Sequence, residues 1–180
     1  MVRQRRAQFV ALISRDDNPL YIQSFNLEPA DSNDSGNANK FLKYNFLSHM
    51  ALDIFSSPAS ISIREQQQRN NDGVLLLFIQ DDVTVYGYES NNGLKIVIGF
   101  GKEEPNEEQT ELEEEMGDSA VIVDQKDLKD LFSQVRKCYL KTLCNPFTNL
   151  DFSEGTETIL QSPTFDKRIT KIIEEWNDMQ

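Results

Sequence analysis

Histidine occurs once in the 180 residues, as His49, and cysteine twice, as Cys138 and Cys144. Metal and nucleophilic chemistry need several such groups converging on one point. A single imidazole with no Cys or His cluster beside it is a poor basis for either, so no metal and no cofactor is expected. The two cysteines stand six residues apart on one expected helix, where they point about 120° away from each other, so no mutual disulfide is expected. Such sparing use of cysteine fits a reduced, cytosolic setting. The sequence has no Gly-x-Ser-x-Gly, P-loop or Cys-x-x-Cys pattern. Gly99-Phe100-Gly101 follows an expected strand, but an acidic stretch comes next instead of a helix start, so a phosphate cradle is not formed. No window approaches the ~18 apolar residues of a membrane span. The apolar run Phe9–Ile13, behind the basic Met1–Arg6, is too short for a secretory signal. Val2 excludes myristoylation, and no cysteine near the C-terminus could be prenylated.

Positive charge is also scarce. Eighteen Lys and Arg face thirty Asp and Glu, for a net charge of −12 and a pI near 4.5. Nucleic-acid binding needs clustered basic residues that displace counterions, so that class is excluded. Most of the acidity belongs to one stretch, residues 101–118, from Glu103 to Asp118, which holds nine acids and one lysine. Like charges at that density resist packing, so a solvated insertion is expected. The stretch lacks the spacing and turn glycine of a calcium loop.

The rest is ordered enough for one domain. Gln8–Arg15 and Leu20–Leu27 read as strands joined by the turn residues Asp16-Asp17-Asn18-Pro19. The polar stretch 28–39 reads as a surface loop, Phe41–Ser57 as a helix stopped by Pro58, and 58–72 as a second loop. Gly73–Gln80 reads as a buried strand, because its apolar run is continuous. Asp81-Asp82 turns the chain into Val83–Glu89, and Asn91-Asn92-Gly93 turns it into Leu94–Phe100. Asp127–Asn145 and Ser162–Trp176 read as helices with clean stripes, the latter with Ser162 as N-cap and Pro163 at its first position. Asn145-Pro146-Phe147 matches a short ligand of EH domains, but at a helix end it reads first as structure. The order β-β-α-β-β-β-α-α implies an α+β domain, an antiparallel sheet with helices on its faces.

The first helix carries more apolar surface than a sheet can cover. With Phe41 at 0° and 100° per residue, Phe41, Tyr44, Leu47, Ala51, Leu52, Ile54 and Phe55 fall on one arc. Leu42, Phe46 and Met50 fall near 100°, 140° and 180°, outside it. A helix apolar almost all round is buried on more than one side. The second cover is expected to be another protein or the loop 58–72. Asp53, near 120°, lies inside the outer arc, and an acid there needs a donor or water. Leu42, Phe46, Met50 and Asp53 are therefore the candidate interface residues.

Several pieces in fixed order resemble the sedlin family of small subunits of the TRAPP tethering complex. They are Asn18-Pro19-Leu20-Tyr21-Ile22, Leu47-Ser48-His49-Met50-Ala51-Leu52-Asp53, Val85-Tyr86-Gly87-Tyr88, Leu94-Lys95-Ile96-Val97, Cys144-Asn145-Pro146-Phe147, and Ile159-Leu160-Gln161-Ser162-Pro163-Thr164-Phe165-Asp166. The resemblance implies a longin-type, profilin-like domain: a five-stranded antiparallel sheet with the first helix on one face and the last two on the other. In that frame 28–39, 58–72 and 101–120 are loop insertions in a single domain spanning 1–180. The resemblance also implies a cytosolic, non-catalytic subunit whose partners are other TRAPP subunits. That assembly tethers vesicles on ER-to-Golgi and Golgi routes and promotes nucleotide exchange on Rab GTPases, mainly through other subunits. Membrane association would be peripheral, through the complex. Asp53 matches a family position associated with subunit contacts. A small chain of a vesicle-coat adaptor is the alternative with the same fold.

Overall fold

The computed structural model describes residues 5–25, 34–58, 62, 73–102, 125–145 and 160–179. Five strands and three long helices lie in these stretches: β1 (Arg5–Ile13), β2 (Pro19–Ser24), α1 (Asp34–Ser56), β3 (Val74–Gln80), β4 (Val83–Glu89), β5 (Lys95–Lys102), α2 (Gln125–Leu143) and α3 (Pro163–Met179). The strands form one antiparallel sheet in the order β2-β1-β5-β4-β3. This is the α+β architecture expected from the element order. The Pro146 and Phe147 of the Asn-Pro-Phe motif, nearly all of the acidic stretch and most of 58–72 lie outside the described residues.

The turns form where the sequence allows left-handed backbone. Asp81 and Asp82 sit at φ 45° and 64°, both central positions of a two-residue hairpin that matches strand twist. Gly93 sits at φ 86°, where a side chain would be strained. Asp17, at φ 62°, places its carboxylate 2.6 Å from the Nζ of Lys95, so the β1–β2 turn is tied to the start of β5. Lys95 is buried, and such an ion needs a partner of this kind.

Alternation along the strands divides the core in two. Val10, Leu12, Tyr86, Ile96, Ile98 and Phe100 point to α2 and α3, where they meet Leu131, Val135, Phe165, Ile169 and Trp176. Phe9, Ala11, Ile13, Val85 and Val97 point the other way, to α1. One helix on one face and two on the other is the arrangement that the family resemblance implied. Gly99 lets the α1 face close, because a Cβ there would come within 2.1 Å of the Phe9 ring. On the two-helix face, Ser162 caps α3: its Oγ accepts the Phe165 amide at 3.3 Å, as the sequence predicts. Farther along α3, the Asn177 Oδ1 accepts the Ala7 amide at 2.9 Å.

Two boundaries differ from the sequence reading. Helix α1 begins at Asp34, so the second half of the expected loop 28–39 is helical. Those first turns have no apolar period and, among the described residues, contribute no side chain to the buried core; a helix already nucleated by its packed part extends at little cost. Strand β3 is not a fully buried strand but an edge of the sheet, with Leu76 and Ile79 53 % and 54 % exposed. A continuous apolar run suits an interior strand, but strand order is set by long-range pairing.

A candidate interaction face on the first helix

Four residues of α1 anchor it: Tyr44, Leu47, Ala51 and Phe55 are all buried against the sheet. Tyr44 stacks on Phe9 with ring centroids 5.0 Å apart, and its hydroxyl donates to Gln8 Oε1 at 3.3 Å. Gln8 lies at the irregularity between Ala7 and Phe9 in the β1–β5 ladder. Ser48, also buried, returns its hydroxyl to the Tyr44 carbonyl at 2.8 Å, which satisfies it without a sheet partner. These residues define the inward direction of α1.

The opposite direction is apolar and open to solvent. Leu42 is 65 % exposed and Phe46 60 % exposed. Asp53, on the same side, is exposed as well, so its carboxylate keeps its water and the cost of burying it does not arise in the free chain. Two residues depart from the helical arithmetic. Met50, placed on the outer arc, is half-buried and packs at the rim of the α1 core. It lies at about 180°, on the flank where Lys43 reaches across to the Asp81 carbonyl at 3.4 Å. Phe41, placed on the inner arc, is 42 % exposed. It comes one turn before Tyr44, the first residue of α1 in the sheet-side core.

The other flank of α1 carries a small cleft of about 40 Å³ against the β1–β2 hairpin, between Leu52, His49 and Asn45 of the helix and Ile13, Pro19 and Ile22 of the sheet. Its lining is mostly apolar, and its size suits one aliphatic side chain rather than a cofactor. Among the described residues no three His, Cys, Asp or Glu side chains stand close enough to hold a metal ion, and no helix is long and apolar enough to cross a membrane. Cys138 and Cys144 are both free. Burial pushes the Cys138 and Tyr139 groups up, and it does the same to Tyr21, where the Asp166 carboxylate adds to it. All three residues belong to the core on the two-helix side of the sheet.

The family model described as Sedlin matches residues 12–175, which takes in every element from the end of β1 to the last turn of α3. The chain belongs to the sedlin family. Several curated relatives are named for a trafficking complex. A mouse protein named trafficking protein particle complex subunit 2-like protein is 24 % identical over 164 residues, covering 91 % of this chain and 94 % of its own length. The protein of that name in Dictyostelium discoideum is 26 % identical, over 86 % of this chain and 91 % of its own. The TRAPP-associated protein TCA17 of Saccharomyces cerevisiae is 31 % identical over 143 residues, 78 % of this chain and 79 % of its own. Within this sedlin domain, the exposure of Leu42 and Phe46 was legible from the helical period. The exposure of Leu76 and Ile79 was missed, and the alternation of β3 could not have shown it.

Proposed function

We propose that this chain is a non-catalytic scaffold subunit of a TRAPP vesicle-tethering complex, and that it meets a neighbouring subunit through the outer face of α1. Family membership together with the names of its relatives supports the assembly. The observation that carries the interface is the exposure of Leu42 and Phe46 on a helix whose inner face is already full. Covering two such side chains contributes roughly 1.5–3 kcal/mol each, a good part of the ~8 kcal/mol of a micromolar complex. Asp53, on the same side, supplies the polar contact, and Met50 closes the flank. In this reading the chain is cytosolic and reaches Golgi and ER–Golgi membranes only through the complex. It serves Rab nucleotide exchange indirectly, through other subunits. The stretches 28–39, 58–72 and 101–120 are elaborations of a single domain, the last of them acidic.

The test is a Phe46→Asp chain, tagged and expressed in place of the native one. Its thermal midpoint should match the native chain, while copurification of TRAPP core subunits falls at least about tenfold, as expected when an apolar anchor is replaced by a buried charge. Unchanged recovery of those subunits by a well-folded Phe46→Asp chain would exclude this face.

A further inference from the structure

The two edges of the sheet are built differently. Strand β2 opens with Pro19, which has no amide to offer a neighbour, and its register with β1 breaks between Leu12 and Ile13. Strand β3, Val-Leu-Leu-Leu-Phe-Ile-Gln, has no proline, no lysine and no charge along seven residues. Edge strands of soluble proteins are normally blunted by such residues, because a bare row of amides and carbonyls invites another strand. Among the described residues nothing pairs with β3 on its outer side.

The ladder between β3 and β4 is irregular between Leu76 and Phe78. Leu76 pairs with Tyr86, which faces α2 and α3, and Ile79 pairs with Thr84, whose neighbours Val83 and Val85 face α1. Leu76 and Ile79 therefore share the two-helix side, although they are three residues apart. Leu77 and Phe78 both pack on the α1 side. A regular strand could not do this; one extra residue shifts the pattern.

We infer that β3 pairs with β3 of a second copy of this chain, antiparallel, with Leu76 of each copy opposite Ile79 of the other. This register also sets Leu77 opposite Phe78, so every opposed pair keeps to one side of the joined sheet. The bulge makes the edge complementary to itself, as a two-fold interface requires. Because the strand is uncharged, no like charges are brought face to face along it. The whole chain, at −12, repels its copy at longer range. That repulsion is screened beyond about 8 Å at physiological salt, so the dimer is strengthened by added salt. A strand edge is smaller than the ~1,200 Å² of a stable interface, so the dimer is weak and depends on concentration. This inference is independent of the α1 face.

The experiment uses the full chain with Cys144→Ser, which removes the exposed thiol. Leu76→Cys and Ile79→Cys chains are made separately and oxidised alone and as a mixture. A disulfide-linked dimer in the mixture, with little in either chain alone, is the expected result. Cross-linking in one chain alone, or in none of the three samples, overturns the register. Sedimentation of the native chain over about a hundredfold range of concentration should show a rising weight-average mass. The Leu76→Lys/Ile79→Lys chain, with an unchanged far-UV spectrum, should stay monomeric. A native chain that stays monomeric throughout overturns the inference. So does a dimer that survives these lysines and is lost in Phe46→Asp, because the contact would then lie on α1.

Discussion

On one face of the sheet two helices close the core with clean stripes; on the other a single helix does so while apolar almost all round. Helices α2 and α3 present Leu128, Leu131, Val135, Phe165, Ile169 and Ile173 inward, and all of these are buried. Helix α1 buries Tyr44, Leu47, Ala51 and Phe55 and leaves Leu42 and Phe46 in water. The difference teaches how to separate packing from association in a small domain. A residue that completes a stripe is buried and holds the fold together, whereas Leu42 and Phe46, beyond the stripe, stay exposed.

The comparison breaks most visibly inside the stripes. Ile169→Ala on the two-helix face and Leu47→Ala on the α1 face should each lower stability by about 2–5 kcal/mol, because both delete well-packed side chains. Urea unfolding measures this. If Leu47→Ala cost less than about 1 kcal/mol, the single helix would not be a full half of the core. Ser162→Ala removes the cap of α3 and should cost about 1 kcal/mol, read as a lower unfolding midpoint with an unchanged denaturant slope.

Alkali should separate the two faces more finely. Tyr21, Cys138 and Tyr139 have raised pKa values, chiefly from burial, and all three belong to the two-helix face. The folded chain holds their protons after the unfolded chain has released them, so their contribution is complete below the ordinary values of 9.0 for Cys and 10.0 for Tyr. It is lost as pH rises above those values. Unfolding midpoints measured from neutral pH to above 10 should fall on the alkaline side, and less steeply for Tyr21→Phe. An identical alkaline slope in that variant would remove Tyr21 from the explanation. The smallest effect on stability is expected at Phe46, where replacement by Ser should change the unfolding free energy by no more than about 0.5 kcal/mol.

Much of this was legible in the sequence. The hairpins were found from Asp17, Asp81-Asp82 and Gly93, because few backbones accept positive φ and these residues do. Both later helices were placed within two or three residues of their ends from period and caps. The surplus on α1 followed from angular arithmetic, but its details did not. Met50 is drawn into the core rim and Phe41 is left out of it, which depends on what packs beside each and not on the helical angle. Strand β3 reads as interior because its run is apolar, and only pairing puts it at the edge.

By itself, then, the chain's order of residues determined its elements, their turns, its family and the excess of oil on one helix, since each rests on local spacing or local backbone preference. Tertiary structure alone decided which oily side chains meet water, because exposure depends on what packs beside a residue, and those neighbours come from distant parts of the chain.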